Sequence, residues 1–408
     1  MRLLPILIFV LTYLGVALGH VPWLTLDRTG IALLGAIAMV ASGALPLDFA
    51  LGAIDHGTIL LLFALMIVSA QLRLGGFYTR VALHSAGLLD RPYLFLFAGM
   101  LLSAVLSAVL ANDIVCLAFA PAIAVSVRRA RLNPAPFLLG LALASNIGSA
   151  ATLIGNPQNM LIGQVGRMAF GPFLAWCLPP TLVSLLIAFV FLCGLYRGRL
   201  TDPGLRTLPP DDCRLQPFNR WQSTKGITAT TVLIVLFFTG IPRELSALAM
   251  AGLLLCSRRM KSREILALVD WHLITLFCAL FIVIEGISLQ GGPEWMLDRL
   301  AARGISLRDL PVLAGVAALL SNLVSNVPAV MLLVRFLDAG APAQWYTLAV
   351  ASTFAGNLIL IGSIANLIVV EQARNCGVEI GFVEHARVGI PTTLASLAVL
   401  WGWIHLAG

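Results

Sequence analysis

Polar residues carry most meaning where a chain gives them no solvent. The stretch SNIGSAATLIGNPQN (145–159) sets three Asn, a Gln, two Gly and a Pro inside one of the most apolar parts of the chain. ANDI (111–114) and SNVP (325–328) are shorter interruptions of the same kind, and Ser352 to Asn366 is a longer one. Gly and Pro at these places stop a helix, and a stopped helix has chemistry at both cut ends. The N-terminal end of the following half points unpaired N–H groups and a positive dipole at the gap, which suits a carboxylate or other oxyanion. The C-terminal end of the preceding half offers carbonyls, which with Ser, Thr and Asn oxygens can coordinate a dehydrated sodium ion. On this reading Asn112, Asp113, Asn146, Gly148, Asn156, Gln158, Asn159, Asn326, Thr353, Asn357, Ser363 and Asn366 are candidate substrate contacts. Ser145, Asn146, Gly155, Ser352, Thr353 and Gly362 are candidate sodium ligands. Packing competes with both roles, because membrane helices also use Gly, Ser and Asn to approach and bind one another.

The elements that would position these residues are membrane helices. The 408 residues are 59% hydrophobic and only 11% charged, with a mean hydropathy of +0.96, which excludes an ordinary soluble domain. Apolar runs long enough for membrane segments recur from residue 3 to residue 405. Only helices satisfy every backbone group across lipid at that length, so the expected fold is an all-α polytopic membrane protein with about 10–11 transmembrane helices. Arg2 and the apolar run to Gly19 resemble a signal peptide with a cleavage site at Ala17-Leu18-Gly19, but a first membrane helix suits so apolar a chain better. The seven Cys are scattered without metal-ligand spacing and read as small packing residues. The net charge of +7 sits in short loops without interleaved aromatics, so it reports topology rather than nucleic-acid binding. DDCR (211–214) reads as solvated loop, and Glu285 and His272 as solvated or interfacial residues.

The interruptions repeat. LLFALMIVSAQLRLGG (61–76) aligns with LFCALFIVIEGISLQG (276–291), and SAVLANDIVCLAFAP (107–121) with SNLVSNVPAVMLLVR (321–335), placing Asn112 on Asn326. ASNIGSAATLIGNPQNML (144–161) then lies over ASTFAGNLILIGSIANLI (351–368), placing Ser145 on Ser352, Gly155 on Gly362 and Asn159 on Asn366. If the loops carrying most of the Arg and Lys face the cytoplasm, Asn112 and Asn326 lie at the tips of re-entrant hairpins entering from opposite sides. The copies are then inverted repeats, an arrangement many secondary transporters use. The expected organisation is 1–56 as N-terminal scaffold helices, 57–196 as the first repeat, 197–225 as a cytoplasmic linker, 226–270 as scaffold helices and 271–408 as the second repeat. Asp113 faces Val327 of the other copy in the alignment, and a membrane-embedded acid is a functional hypothesis: a cation site, a proton exchanger or a hydrogen-bond acceptor at the turn.

LANDI with the following apolar run (110–121), SNIGSAATLIGNPQN (145–159) and AGNLILIGSIANLIV (355–369) resemble the ion transporter superfamily. That group holds arsenite permeases, NhaD-type antiporters, citrate and dicarboxylate symporters and the melanosomal P protein, and the closest likeness is to YbiR-like anion transporters. The resemblance implies a homodimer held by a scaffold, with a transport domain that moves as an elevator. In the sodium-coupled dicarboxylate members, Ser-Asn-Thr motifs at the two broken spans contact sodium and substrate. Here they read Ser145-Asn146-Ile147 and Ser352-Thr353-Phe354, which departs from that pattern. The Asn112-Asp113 pair is closer to the arsenite permeases. The expected function is secondary active transport of a small anion across a bacterial cytoplasmic membrane, coupled to a Na+ or H+ gradient. Metalloid efflux and Na+/H+ antiport are the transporter alternatives. A non-transporting receptor lacks a sizeable extra-membrane domain here, and an intramembrane enzyme lacks its motifs. No cofactor is expected, and Na+ enters only as a coupling ion.

Overall fold

The computed structural model describes residues 3–19, 24–200 and 216–407; Arg2, the DDCR segment and most of the expected linker lie outside them. Among the described residues the chain forms twenty α-helices and no strand. The first ten are α1 (Leu3–Leu18), α2 (Arg28–Ala41), α3 (Leu47–Gly52), α4 (His56–Leu74), α5 (Phe77–Ser85), α6 (Pro92–Val109), α7 (Asn112–Arg129), α8 (Pro134–Ser149), α9 (Pro157–Val165) and α10 (Phe170–Leu195). The second ten are α11 (Arg220–Phe237), α12 (Arg243–Leu255), α13 (Ser262–Leu266), α14 (Trp271–Ser288), α15 (Gly292–Ala301), α16 (Leu310–Val324), α17 (Asn326–Leu333), α18 (Pro342–Ala355), α19 (Ile364–Asn375) and α20 (Phe382–Ala407). The expected linker is shorter at its C-terminal end, because Arg220 to Lys225 already form the first turns of α11 behind the Asn219 cap.

The two sets of ten follow the same order, and their packing is reciprocal. α2 packs on α14 and α12 on α4; α1 packs on α14 and α11 on α4; α7 packs on α19 and α17 on α9. Local sequence signals agree with this pairing. Asp55 caps α4 by accepting from Thr58 N at 2.7 Å, and Asp270 caps α14 by accepting from Leu273 N at 2.9 Å. Pro opens α6, α8, α16 and α18, where its missing N–H would have been unpaired anyway.

Burial separates a core from a rim. Every residue of α8 and of α17 is buried, so these helices are enclosed by others on every side, their few polar residues included. α1, α6, α10 and α20 instead turn Leu7, Val105, Leu186, Val190, Leu394 and Trp401 outward. Five helices, α4, α6, α10, α14 and α20, are long and apolar enough to cross a bilayer, and Leu3–Leu18, Arg28–Ala41, Leu310–Val324 and Asn326–Phe336 are shorter apolar helices. The chain is a multi-pass membrane protein whose central spans are cut in two. One Cys departs from the packing expectation: Cys376 is disulfide-bonded.

Candidate functional site

The breaks fall where the sequence places them. α6 ends at Val109 and α7 starts at Asn112; α16 ends at Val324 and α17 starts at Asn326. α8 stops at Ser149 and α9 resumes at Pro157; α18 stops at Ala355 and α19 resumes at Ile364. The four resuming ends meet. Asn112 and Asp113 of α7, Pro157 and Gln158 of α9, Asn326 and Val327 of α17, and Ser363 and Ile364 at the start of α19 line one cavity of about 20 Å³. Such a volume holds about one water molecule, so this conformation is closed around its centre. Four helix N-termini, each with backbone N–H groups lacking an intrahelical acceptor, converge on one point.

Behind the cavity lies a buried amide network. Asn146 donates through Nδ2 to Asn357 Oδ1 at 2.8 Å and to Asn366 Oδ1 at 3.0 Å, and its Oδ1 accepts from Asn112 Nδ2 at 3.2 Å and Ser363 Oγ at 3.0 Å. Thr353, the residue that Asn146 aligns with, accepts at Oγ1 from Asn156 Nδ2 at 3.2 Å. Asn156 and Ser363 are aligned counterparts too, and each caps the second half of its own broken helix. Each copy therefore reaches across to hold the other copy's cap. Asn159 Nδ2 donates to the carbonyls of Ser149 at 3.2 Å and Thr152 at 2.9 Å, while Asn366 Nδ2 donates to Gly356 O at 2.9 Å and Ile359 O at 3.4 Å. Both Asn side chains staple the cut end of the preceding half-helix, answering carbonyls that a break leaves open.

Of the candidate substrate contacts, the structure brings Asn112, Asp113, Gln158, Asn326 and Ser363 to the cavity wall. Asn146, Asn156, Asn159, Thr353, Asn357 and Asn366 stand one layer back in the network. Gly148 is at neither place. A Cβ there would lie 2.3 Å from Ala104 Cα, so Gly148 is what lets α8 close on α6. Gly155 joins tip to break: its carbonyl accepts from Asn112 N at 3.1 Å, and a Cβ would lie 2.2 Å from Ser149 O.

The family follows from the whole chain. A family profile described as "Citrate transporter" (CitMHS) matches residues 7–355. This chain belongs to the citrate transporter family. A 46 kDa membrane protein of Mycobacterium leprae is 29% identical, over 99% of this chain and 99% of that protein. The silicon efflux transporter LSI3 of Oryza sativa subsp. japonica is 29% identical, over 93% of this chain and 92% of that one. Among solved structures, the Alcanivorax borkumensis YdaH transporter superposes with a TM-score of 0.52 at 16% identity, over 99% of this chain and 97% of that one, a likeness of fold. The matched family, LSI3 and the YdaH protein are named as transporters, not enzymes.

Within this citrate transporter family member, the two sets of candidate sodium ligands are differently engaged. Ser145 Oγ lies 2.8 Å from Ser107 Oγ and donates to Asn112 O at 3.2 Å, joining the hairpin tip to the broken helix. Ser352 Oγ donates within its own helix to Leu348 O at 2.7 Å. Gly362 sits in a 3-10 turn, where a Cβ would be 3.1 Å from Asn322 Oδ1. The first set is thus built into the tip, while Ser352 serves its own helix.

Three features of the site go beyond the sequence reading. Arg73 of α4 and Asp270 at the start of α14 join Asp113 around a second cavity of about 100 Å³, which shares Asp113, Pro157 and Leu273 with the central one. Neither residue lies in an interruption, so only the fold reveals them. Glu285 is partly buried and pairs with Arg335 at 3.0 Å, tying α14 to the base of the second hairpin. Ser325, at the second tip, has φ 78 and ψ 158, a region occupied almost only by Gly. The first tip has no such residue, since Ala111 sits at φ −51 and ψ 127. Ser325→Gly is therefore expected to stabilise the protein by about 1 kcal/mol, relief of strain outweighing the added chain entropy. Thermal unfolding in detergent measures it, and a lower melting temperature for the variant would contradict the strain.

Proposed function

We propose that this protein is a secondary active transporter of a small oxyanion, working by alternating access and driven by a Na+ or H+ gradient. The observation that carries this reading is the meeting of four helix N-termini, two from each copy, on one closed cavity. In a water-poor setting these ends stabilise negative charge without a Lys or Arg in the cavity wall. Inversion of the copies is supported by their ends. Val165 at the end of α9 shares a cavity with Val334 and Arg335 at the base of the second hairpin, while Arg128 at the base of the first hairpin bonds the carbonyls of Cys376 and Gly377 just past α19. Each broken helix thus runs from the centre toward the other copy's hairpin base. We place α6–α10 and α16–α20 in the moving unit, with the helices before them as scaffold of a homodimer in a bacterial cytoplasmic membrane. Ser145, Gly155 and the hairpin tip are the sodium site we favour, because Ser145 Oγ and Gly155 O both bond the backbone of Asn112 at that tip.

Cys introduced at exposed positions tests inversion. Arg131→Cys is expected to react with an impermeant maleimide from the cytoplasm and Gly340→Cys from outside; reaction of both from one side would remove the inverted arrangement.

A second reading has an observation of its own. Asn112 Oδ1 and Asn326 Oδ1 are buried without a hydrogen-bond partner, and with the Asp113 carboxylate they call for donors. A hydroxylated, uncharged metalloid acid offers O–H donors, and one relative carries the name of a silicon efflux transporter. Flux in proteoliposomes separates the readings: carboxylates, phosphate, sulfate, arsenite and silicic acid are each offered with and without sodium across pH. Uptake of an anion supports the first reading. Movement of arsenite or silicic acid alone supports the second, and movement of none in any gradient overturns both.

A further inference from the structure

Away from the central cavity, α1, α14 and α15 enclose a groove of about 150 Å³ with an almost entirely apolar wall. Phe9 and Val10 come from α1, Ile287 from α14, Trp295 and Met296 from α15, and Phe336 from the foot of the second hairpin. α15 starts at the left-handed Gly291 and continues through Pro293 as a short helix with Glu294, Asp298 and Arg299 on it. Its Trp295 is 52% exposed at the groove and carries the Arg299 guanidinium 5.3 Å above its ring. Trp beside a cation is what the interfacial layer of a bilayer selects.

We infer that this groove is a binding site for one phospholipid, with an acyl chain laid between α1 and the hairpin foot and the phosphate held at Arg299. The wall offers an acyl chain apolar surface and no hydrogen bond to lose. The rim offers the phosphate the cation it needs, held in place by the indole rather than by a carboxylate. The occupant touches α1 and α14 on one side and Leu332 and Phe336 on the other. It therefore bridges the scaffold to the hairpin in the arrangement proposed above, although its binding does not depend on what the central cavity carries.

Native mass spectrometry of the full chain tests this with dioleoyl phosphatidylglycerol as the probe, titrated against detergent. One lipid is expected to remain on each chain after the loosely held ones are stripped. Val10→Trp fills the groove and is expected to lose that lipid, with Met296→Phe as a second filling variant should the first fail to fold. Arg299→Ala is expected to weaken retention about fivefold, the loss of one interfacial cation. Leu186→Trp, on the outward face of α10, serves as the control and keeps the lipid. Equal retention in both filling variants overturns the site, as does a crosslink from position 10 that captures a second copy of the chain in place of lipid. Retention that inorganic phosphate abolishes would also overturn it, because the anion would then bind without its chain.

Discussion

Asn146→Ala is expected to abolish transport and to cost about 3–5 kcal/mol of stability. The side chain uses both amide hydrogens and accepts twice, linking Asn112, Asn357, Ser363 and Asn366 at 2.8–3.2 Å. Truncation leaves three buried polar atoms with no partner, Asn112 Nδ2, Asn357 Oδ1 and Asn366 Oδ1, each worth about 1–3 kcal/mol before relaxation, and takes one of two bonds from Ser363 Oγ. Local repacking recovers part of that sum, which is how the estimate stays below it. Asn146→Asp is the sharper variant: it keeps the shape but replaces two donors with an acceptor facing two Oδ1 atoms. Thermal unfolding and flux on the same preparation report both effects. If either variant melts with wild type and still transports, the network is not what sets the half-helices.

Asp113→Asn is expected to tighten apparent anion affinity by up to about a hundredfold while weakening dependence on the driving cation. A carboxylate and a bound anion about 5 Å apart repel by about 3 kcal/mol at an effective dielectric of about 20, and this is the ceiling for the gain. Removing the charge leaves the four helix ends unopposed, so exchange of anion for anion continues. Accumulation against a gradient falls if Asp113 binds the coupling cation. Initial rates against substrate concentration, in exchange and in net-uptake formats, read the two effects separately. Loss of exchange as well as uptake would favour the antiport or metalloid reading, in which the carboxylate itself handles the cargo.

The breaks were legible in the sequence because each needs residues that an intact membrane helix avoids. Pro157 and Pro328 cannot donate, and Gly155 and Gly362 sit against backbone or amide atoms. The pairing of the copies was legible for the same reason, since Asn112 with Asn326 and Asn159 with Asn366 recur in the same order. What the sequence could not separate was cavity wall from supporting layer. Asn156 and Gln158 are two residues apart at one helix start and both donate to Thr353 Oγ1, yet Gln158 lines the cavity while Asn156 turns back to Ser149. That direction is set by what packs opposite, which a linear pattern does not contain. Gly148 shows the same limit from the other side: it lies in a polar stretch with Asn146 and Ser149, but its reason for being Gly is Ala104, on another helix. Arg73 and Asp270 were invisible because they stand in helices without interruptions and arrive by tertiary packing.

The crossed caps also bear on what each half of the chain requires. Asn146 meets Ser363 and Thr353 meets Asn156, so each half presents what the other accepts. Two first halves joined alone would set Asn146 against Asn156, amide against a bulkier amide, and two second halves would set Thr353 against Ser363, two short hydroxyls across a gap built for a longer reach. In the inverted arrangement proposed above, the two halves are therefore parts that fit each other rather than copies of themselves. Fusion in one gene then fixes their stoichiometry, and neither half retains a use for a twin of itself.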